Sequence, residues 1–335
     1  MSKSSLERLV RRAAVGGAIA SAAAQELWSP RSDHPVAAAL GWAGPWTRVP
    51  AALLALGAAA DSDVASLSAL ASLALLPRDG RRHRVEAFPR STDFTVLVHN
   101  VLATNRHGGR LTRMHEETGH DIALLVEVND RLAGALERHC RDRHLALVPS
   151  RGFQGAGVVS RWPIDSIDEF TSGINTGLVV RTGGLTVVVA HLPAPKVSGR
   201  LLVSLERQHR AVSRLCDVVS AIEGPLVVGG DFNATYWNRS LRRVMDAGGL
   251  VDAATVSGAS RSFTFPARAP VVAIDHCLVR GLRPRWARTA TAAGSDHRAL
   301  LIGLDRGVWG AEPTRPAPTR APRNATPAAE RRAPH

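Results

Sequence analysis

The hydrophobic positions of the chain fall into two regimes. Up to about position 77 they form four Ala- and Leu-rich stretches, Ala13–Ala24, Val36–Trp46, Val49–Ala60 and Val64–Leu76. A bilayer-crossing helix needs about 20 apolar residues in a row. These stretches are shorter, and Arg48, Asp61 and Asp63 break them, so their spacing alone suits packed or interfacial helices as well as spanning ones. Residues 78–92 are polar and basic between Pro77 and Pro89, which reads as a linker. From Asp93 the pattern becomes short Val-, Ile- and Leu-rich runs bounded by Gly, Pro, Asn or Asp, alternating with helical periods. The predicted strands are Phe94–His99, Ile122–Val126, Leu145–Val148, Gly157–Ser160, Gly177–Val180, Thr186–Ala190, Leu226–Gly229, Val271–Leu278 and Ala299–Leu304. The predicted helices are Gly109–Thr118, Asp130–Cys140, Leu201–Ile222 and Ser240–Ala247. This mixture predicts an α/β or α+β architecture with buried strands over 93–306. Residues 307–335, rich in Pro, Ala and Arg without apolar periodicity, read as a disordered tail.

Composition narrows the function classes. At 335 residues, 45% hydrophobic and 21% charged, the chain can bury a full core. The formal net charge is +13, which favours an anionic partner: nucleic acid, a phosphate compound or an anionic membrane surface. The excess is nearly all Arg and is spread over leader, middle and tail. Lys196 is the only lysine of 93–306. A nucleic-acid groove is therefore not favoured over another phosphate substrate, such as a lipid-linked one. Three separated cysteines, Cys140, Cys216 and Cys277, exclude a disulfide scaffold and a Cys-rich zinc module. His99, His107, His115 and His120 match no zinc spacing.

The polar residues follow one rule: they sit at the ends of apolar strands, or interrupt one. Asn100, Glu127 and His191 each end one. Asp231 and Asn233 follow Leu226–Gly229. Asp275 and His276 interrupt the strand around Ile274. Asp296 and His297 precede Ala299–Ile302. Strand ends can converge on one rigid edge. Oxygen ligands suit a hard cation such as Mg²⁺, and histidines with acidic partners move protons near neutral pH. Together these are the requirements of metal-assisted phosphoester hydrolysis. Ordinary readings stand beside this one. Asn100 suits a turn, Glu127 an ion pair with Arg131, and Asp231 with Asn233 an Asx turn or cap. Tyr236 and Trp237 suit core or rim packing.

Seven segments carry a resemblance. They are His99-Asn100-Val101, Leu125-Val126-Glu127-Val128, Gly157 to Pro163, Ala190-His191-Leu192, Gly229 to Thr235, Ile274-Asp275-His276 and Gly294 to Arg298. In this order the sequence resembles the endonuclease/exonuclease/phosphatase superfamily, and within it the bacterial membrane-linked branch that includes glycopeptide-resistance proteins. It departs where Val126 precedes Glu127, a place the family usually gives to Gln.

The resemblance implies a four-layered DNase I-like fold of two packed β-sheets flanked by helices; a monomer is expected. It implies that Asn100, Glu127 and Asp296 hold or adjoin Mg²⁺, with Mn²⁺ as a substitute and the number of ions open. Asp231 would orient or deprotonate the water, and Asn233 would bind the phosphoryl group. His297, held by Asp275, would meet the scissile phosphate, and His191 would act as general acid or oxyanion stabiliser. The implied activities are phosphatase, phosphodiesterase or nuclease, against the alternative of a silent binding module. The implied location is a membrane surface, with the cytoplasm as alternative.

Overall fold

The computed structural model describes residues 92–194, 201–259 and 262–307. The N-terminal apolar stretches, nearly all of the basic linker and the tail beyond Gly307 lie outside the described residues.

Two six-stranded sheets pack face to face. In chain order the elements are β1 Phe94–Asn100, α1 Gly108–Thr118, β2 Ile122–Val126, α2 Asp130–His139, β3 His144–Val148, β4 Ala156–Ser160, β5 Ile164–Ser172, β6 Asn175–Thr182 and β7 Leu185–Val189. They continue with α3 Leu201–Ser220, β8 Leu226–Asp231, α4 Arg239–Gly248, β9 Val251–Asp252, α5 Ala253–Val256, β10 Asp275–Arg280, β11 Leu282–Thr289 and β12 Leu300–Arg306. The first sheet runs β11-β12-β1-β2-β4-β3 and the second β5-β6-β7-β8-β10-β9.

Three apolar clusters show why four layers form. Val96, Val98, Ile122 and Leu124 of the first sheet meet Val187, Val189, Val227 and Cys277 of the second. Neighbouring positions point the other way, as strand geometry requires. Leu97 and Leu125 pack under Leu111, Met114, Leu132 and Leu136 of α1 and α2. Val188 and Val228 pack under Ala211, Val212, Leu215, Leu241 and Val244 of α3 and α4. Each sheet is therefore buried on both faces, which explains near-continuous apolar runs without clean alternation. A fully buried aliphatic side chain contributes about 1.5–3 kcal/mol.

Each sheet contains one parallel pair, β1 with β2 and β7 with β8, and both pairs close by a helical crossover. Their carboxyl ends therefore point to one edge of the sandwich. The antiparallel neighbours β10 and β12 begin at that same edge.

Three strands escape the hydrophobic reading. β5 is an edge strand carrying Asp165, Asp168 and Glu169. β11 is also an edge strand; Pro284 stands beside its bulge, where a missing N–H is tolerated. β9 has two residues. The strand read as Val271–Leu278 begins at Asp275 instead, so Asp275 and His276 open a strand rather than interrupt one.

Candidate active site

Seven of the eight residues to which the resemblance assigns a role gather at this edge, drawn from both sheets. Asn100 closes β1 and is buried. Its Nδ2 donates to Glu127 Oε1 at 2.9 Å and to Asp231 Oδ2 at 3.1 Å. Its Oδ1 accepts from Leu102 N at 3.0 Å. Asn100 thus turns a donor, not an oxygen, towards the two carboxylates and draws them together. Glu127 sits one residue beyond β2 with φ of +62°. Its Oε2 accepts from Ala103 N at 2.9 Å. The predicted pairing with Arg131 gives way to these nearer donors.

Asp231 closes β8 and its Oδ1 accepts from Asn233 N at 2.8 Å, so the Asx turn is real and serves the site. Burial, reinforced by the charge of Asp275, pushes the Asp231 pKa up to about 6. Asn233 has φ of +46° and donates Nδ2 to Leu192 O at 2.9 Å. The turn can lie this close to β7 because residue 230 is glycine. Gly230 has φ of +147°, and a Cβ there would stand 1.9 Å from Ala190 O.

His191 lies two residues beyond β7. Its Nδ1 is 3.2 Å from Phe153 O. A carbonyl only accepts, so Nδ1 carries a proton there. Nε2 faces Asn233 Nδ2 at 3.4 Å, with Glu127 Oε1 and Asp231 Oδ2 each 3.9 Å away. Asn175 Nδ2 donates to His191 O at 2.8 Å and fixes the backbone.

Asp275 opens β10 and His297 precedes β12. His297 Nδ1 donates to Asp275 Oδ2 at 2.7 Å, and Nε2 points at Asp231 Oδ2, 3.7 Å away. Burial disfavours a charged ring here, but the Asp275 charge and hydrogen bond, with Asp231 and Asp296 behind, push the His297 pKa up to about 10. Burial also works against the Asp275 carboxylate, and the facing His297 ring outweighs it, holding Asp275 below its usual range. Ligand atoms of Asp231, Asp275 and His297 lie within 4.8 Å of one another. Asp296 is the residue that stays apart: its position is exposed, although its charge is felt at His297.

Sequence reasoning missed several supporting groups. Ser295 Oγ donates to Asn100 O at 2.7 Å and accepts from His297 N at 3.0 Å, tying the end of β1 to the loop before β12, both in the first sheet. Its place in Ser295-Asp296-His297 was the available signal. His99 donates Nε2 to His297 O at 3.3 Å. Phe153 and Asn175 carry no motif signal, because they act through a backbone carbonyl and an amide far off in sequence. Tyr236 and Trp237 line a cavity of about 70 Å³ together with Phe263, Thr255, Asp275 and His276.

A family profile described as Endonuclease/Exonuclease/phosphatase family matches residues 87–297. The comparison with curated proteins returned no match. Among solved structures, the chain is similar to a 3'-5' exonuclease from Neisseria meningitidis (TM-score 0.53, 17% identity, covering 63% of this chain and 99% of that one). It is similar to an endonuclease/exonuclease/phosphatase from Bacteroides vulgatus (0.52, 17%, 64% and 100%). It is also similar to a humanized D. rerio TDP2 (0.52, 16%, 63% and 98%). At these identities the likeness speaks to fold, and the two-sheet, four-layer fold is the DNase I-like one expected.

Proposed function

Since the chain belongs to the endonuclease/exonuclease/phosphatase family, a family of hydrolases acting on phosphate ester bonds, we propose that it hydrolyses a phosphate mono- or diester with the help of Mg²⁺. One observation carries the reading. Asn100 gathers the Glu127 and Asp231 carboxylates from two sheets, and Asp231 Oδ2 lies 3.7 Å from Nε2 of a His297 ring paired with Asp275.

The donor set fits a divalent cation. Hard carboxylate oxygens converge, and the crowding of buried acids that raises Asp231 is the charge imbalance a cation would relieve. Glu127 and Asp231 would hold it, with Asp296 supplying charge from the rim. When bound, the cation supplies Lewis-acid stabilisation of phosphoryl oxygens. Every other part is supplied by the chain. Asp231 is placed to orient the attacking water and take its proton. His297 keeps a charged Nε2–H towards the phosphoryl group, with Asp275 fixing its ring. Asn233 and His191 meet a phosphoryl oxygen or the leaving group from the other side.

Bis(p-nitrophenyl) phosphate and p-nitrophenyl phosphate, assayed with Mg²⁺ and with chelator, test the reading. Metal-dependent release of nitrophenol that is lost in Asp231→Ala and His297→Ala, both folded, supports it. Undiminished activity in both variants would overturn it. For the substrate class, the scarcity of lysine favours a phosphate compound other than nucleic acid. The nuclease reading is supported by a similar structure described as D. rerio TDP2 complexed with single strand DNA product. Cleavage of plasmid DNA, measured beside the small esters, separates the two. Association with a membrane surface rests on the stretches before residue 77. No helix among the described residues is long and apolar enough to cross a membrane. Whether extraction requires detergent tests that association.

A further inference from the structure

Behind the catalytic turn lies a second buried acid–histidine pair that takes no part in the chemistry above. His276 and Asp252 are buried. His276 Nδ1 lies 2.7 Å from Asp252 Oδ2, and Nε2 lies 2.9 Å from Ala234 O. The carbonyl can only accept, so Nε2 carries a proton. A carboxylate Asp252 also only accepts, so Nδ1 carries one too, and the ring is an imidazolium. Asp252 is fixed in turn: its Oδ1 accepts from Thr255 N at 2.8 Å and caps α5. Burial opposes its charge, but the His276 hydrogen bond and charge hold Asp252 below the usual carboxylate range.

The carbonyl grasped by this cation belongs to Asp231-Phe232-Asn233-Ala234. That segment carries Asn233 in the left-handed region, and the His276 bond grips it from the side away from His297. Phe232 stands edge-on to the His276 ring, 5.7 Å between centroids. Successive strand residues point to opposite faces. Asp275 therefore reaches His297 while His276, the next residue, reaches the back of the turn that carries Asp231 and Asn233. One dipeptide of β10 addresses both halves of the site.

We propose that His276, charged by Asp252, is a positioning residue that sets Asp231 and Asn233 against His297 by holding the Ala234 carbonyl. In its kinetic readout this rests on the hydrolase reading above. Its second readout does not.

The test uses the full chain with His276→Leu, His276→Gln and Asp252→Asn. Gln keeps a donor for Ala234 O, and Asp252→Asn keeps the shape while removing the charge. With bis(p-nitrophenyl) phosphate and Mg²⁺, His276→Leu is expected to lower kcat about 100-fold, the scale of an ångström-sized misplacement, with KM within about twofold. His276→Gln is expected to recover about tenfold of that loss at similar thermal stability. In amide NMR spectra the Asn233 side-chain resonances move in His276→Leu and Asp252→Asn and stay near their place in His276→Gln. Equal kcat in the Leu and Gln variants, or unmoved Asn233 resonances, would overturn the proposal. Should His276→Leu fail to fold, the Asp252→Asn and His276→Gln comparison decides alone. A wild-type protein without activity would refute the hydrolase reading, while the Asn233 resonances would still judge the clamp.

Discussion

The hydrogen bond between His297 Nδ1 and Asp275 Oδ2, 2.7 Å long, joins the two sheets: His297 hangs from the first and Asp275 opens a strand of the second. Replacing Asp275 by Asn keeps the shape and removes the charge. The expected result is a fall in kcat of about 10³- to 10⁴-fold, the size seen when a histidine's orienting carboxylate is lost. Steady-state kinetics at saturating substrate measure it.

The same substitution should show in the ring's titration. His297 has its pKa raised to about 10, so the charged ring persists through neutral pH and is lost only as pH rises through that value. In Asp275→Asn the loss should begin nearer the ordinary value of about 6.5. Proton NMR of the His297 ring in metal-free protein follows both. A wild-type ring that titrates near 6.5 would contradict the pairing.

Asn100→Ala removes the amide between the Glu127 and Asp231 carboxylates. Buried Asp231 and half-buried Glu127 then face each other without a donor between them. Activity should fall about 10²-fold or more, and Mg²⁺ should bind more weakly. Isothermal titration with Mg²⁺ and a kinetic assay report the two effects separately.

A cation held by Glu127 and Asp231 would bridge the sheets, so binding should stabilise the fold. At 100 times the dissociation constant the gain is about 2.7 kcal/mol. The melting temperature should rise with Mg²⁺ or Mn²⁺ in the wild type and stay flat in Glu127→Gln. Differential scanning fluorimetry across a metal series distinguishes these outcomes.

Much of this arrangement is legible in the sequence. The apolar runs located the inner strands, because burial on both faces leaves few polar positions in β1, β2, β7 and β8. β5 and β11 were invisible for the opposite reason: edge strands face solvent, and their charges and proline read as loop. At the site, short motifs betrayed side chains that act for themselves, such as Asp231 and His297. They were silent about Phe153, which contributes a carbonyl, and about Asp252, whose partner His276 stands 24 residues away. The resemblance implies that Asn100 holds or adjoins Mg²⁺. Only the fold shows which end of its amide faces the carboxylates.

Two further histidines predict an acid limit. His115 and His120 are buried, their rings 4.6 Å apart, and both nitrogens of His115 lack a hydrogen-bond partner. Burial holds the His120 pKa down at about 3, and burial with the neighbouring ring lowers His115. Neutral rings are compatible with the fold and charged ones are not. The stability they protect is therefore complete above about pH 6.5 and is lost as pH falls towards 3, at about 1.4 kcal/mol per unit for each ring. His115→Phe should move the acid-unfolding midpoint to lower pH, as followed by circular dichroism.

Gly230 has a consequence for how the site tolerates change. With no room for even a methyl group beside Ala190 O, the gap between His191 and Asp231 is ruled by two peptide backbones in contact, with no side chain in between to trim or enlarge. The rims of the site can diverge freely to suit one substrate or another. The distance between those two reactive groups cannot be tuned by substitution, and only a change in the course of β7 or β8 would alter it.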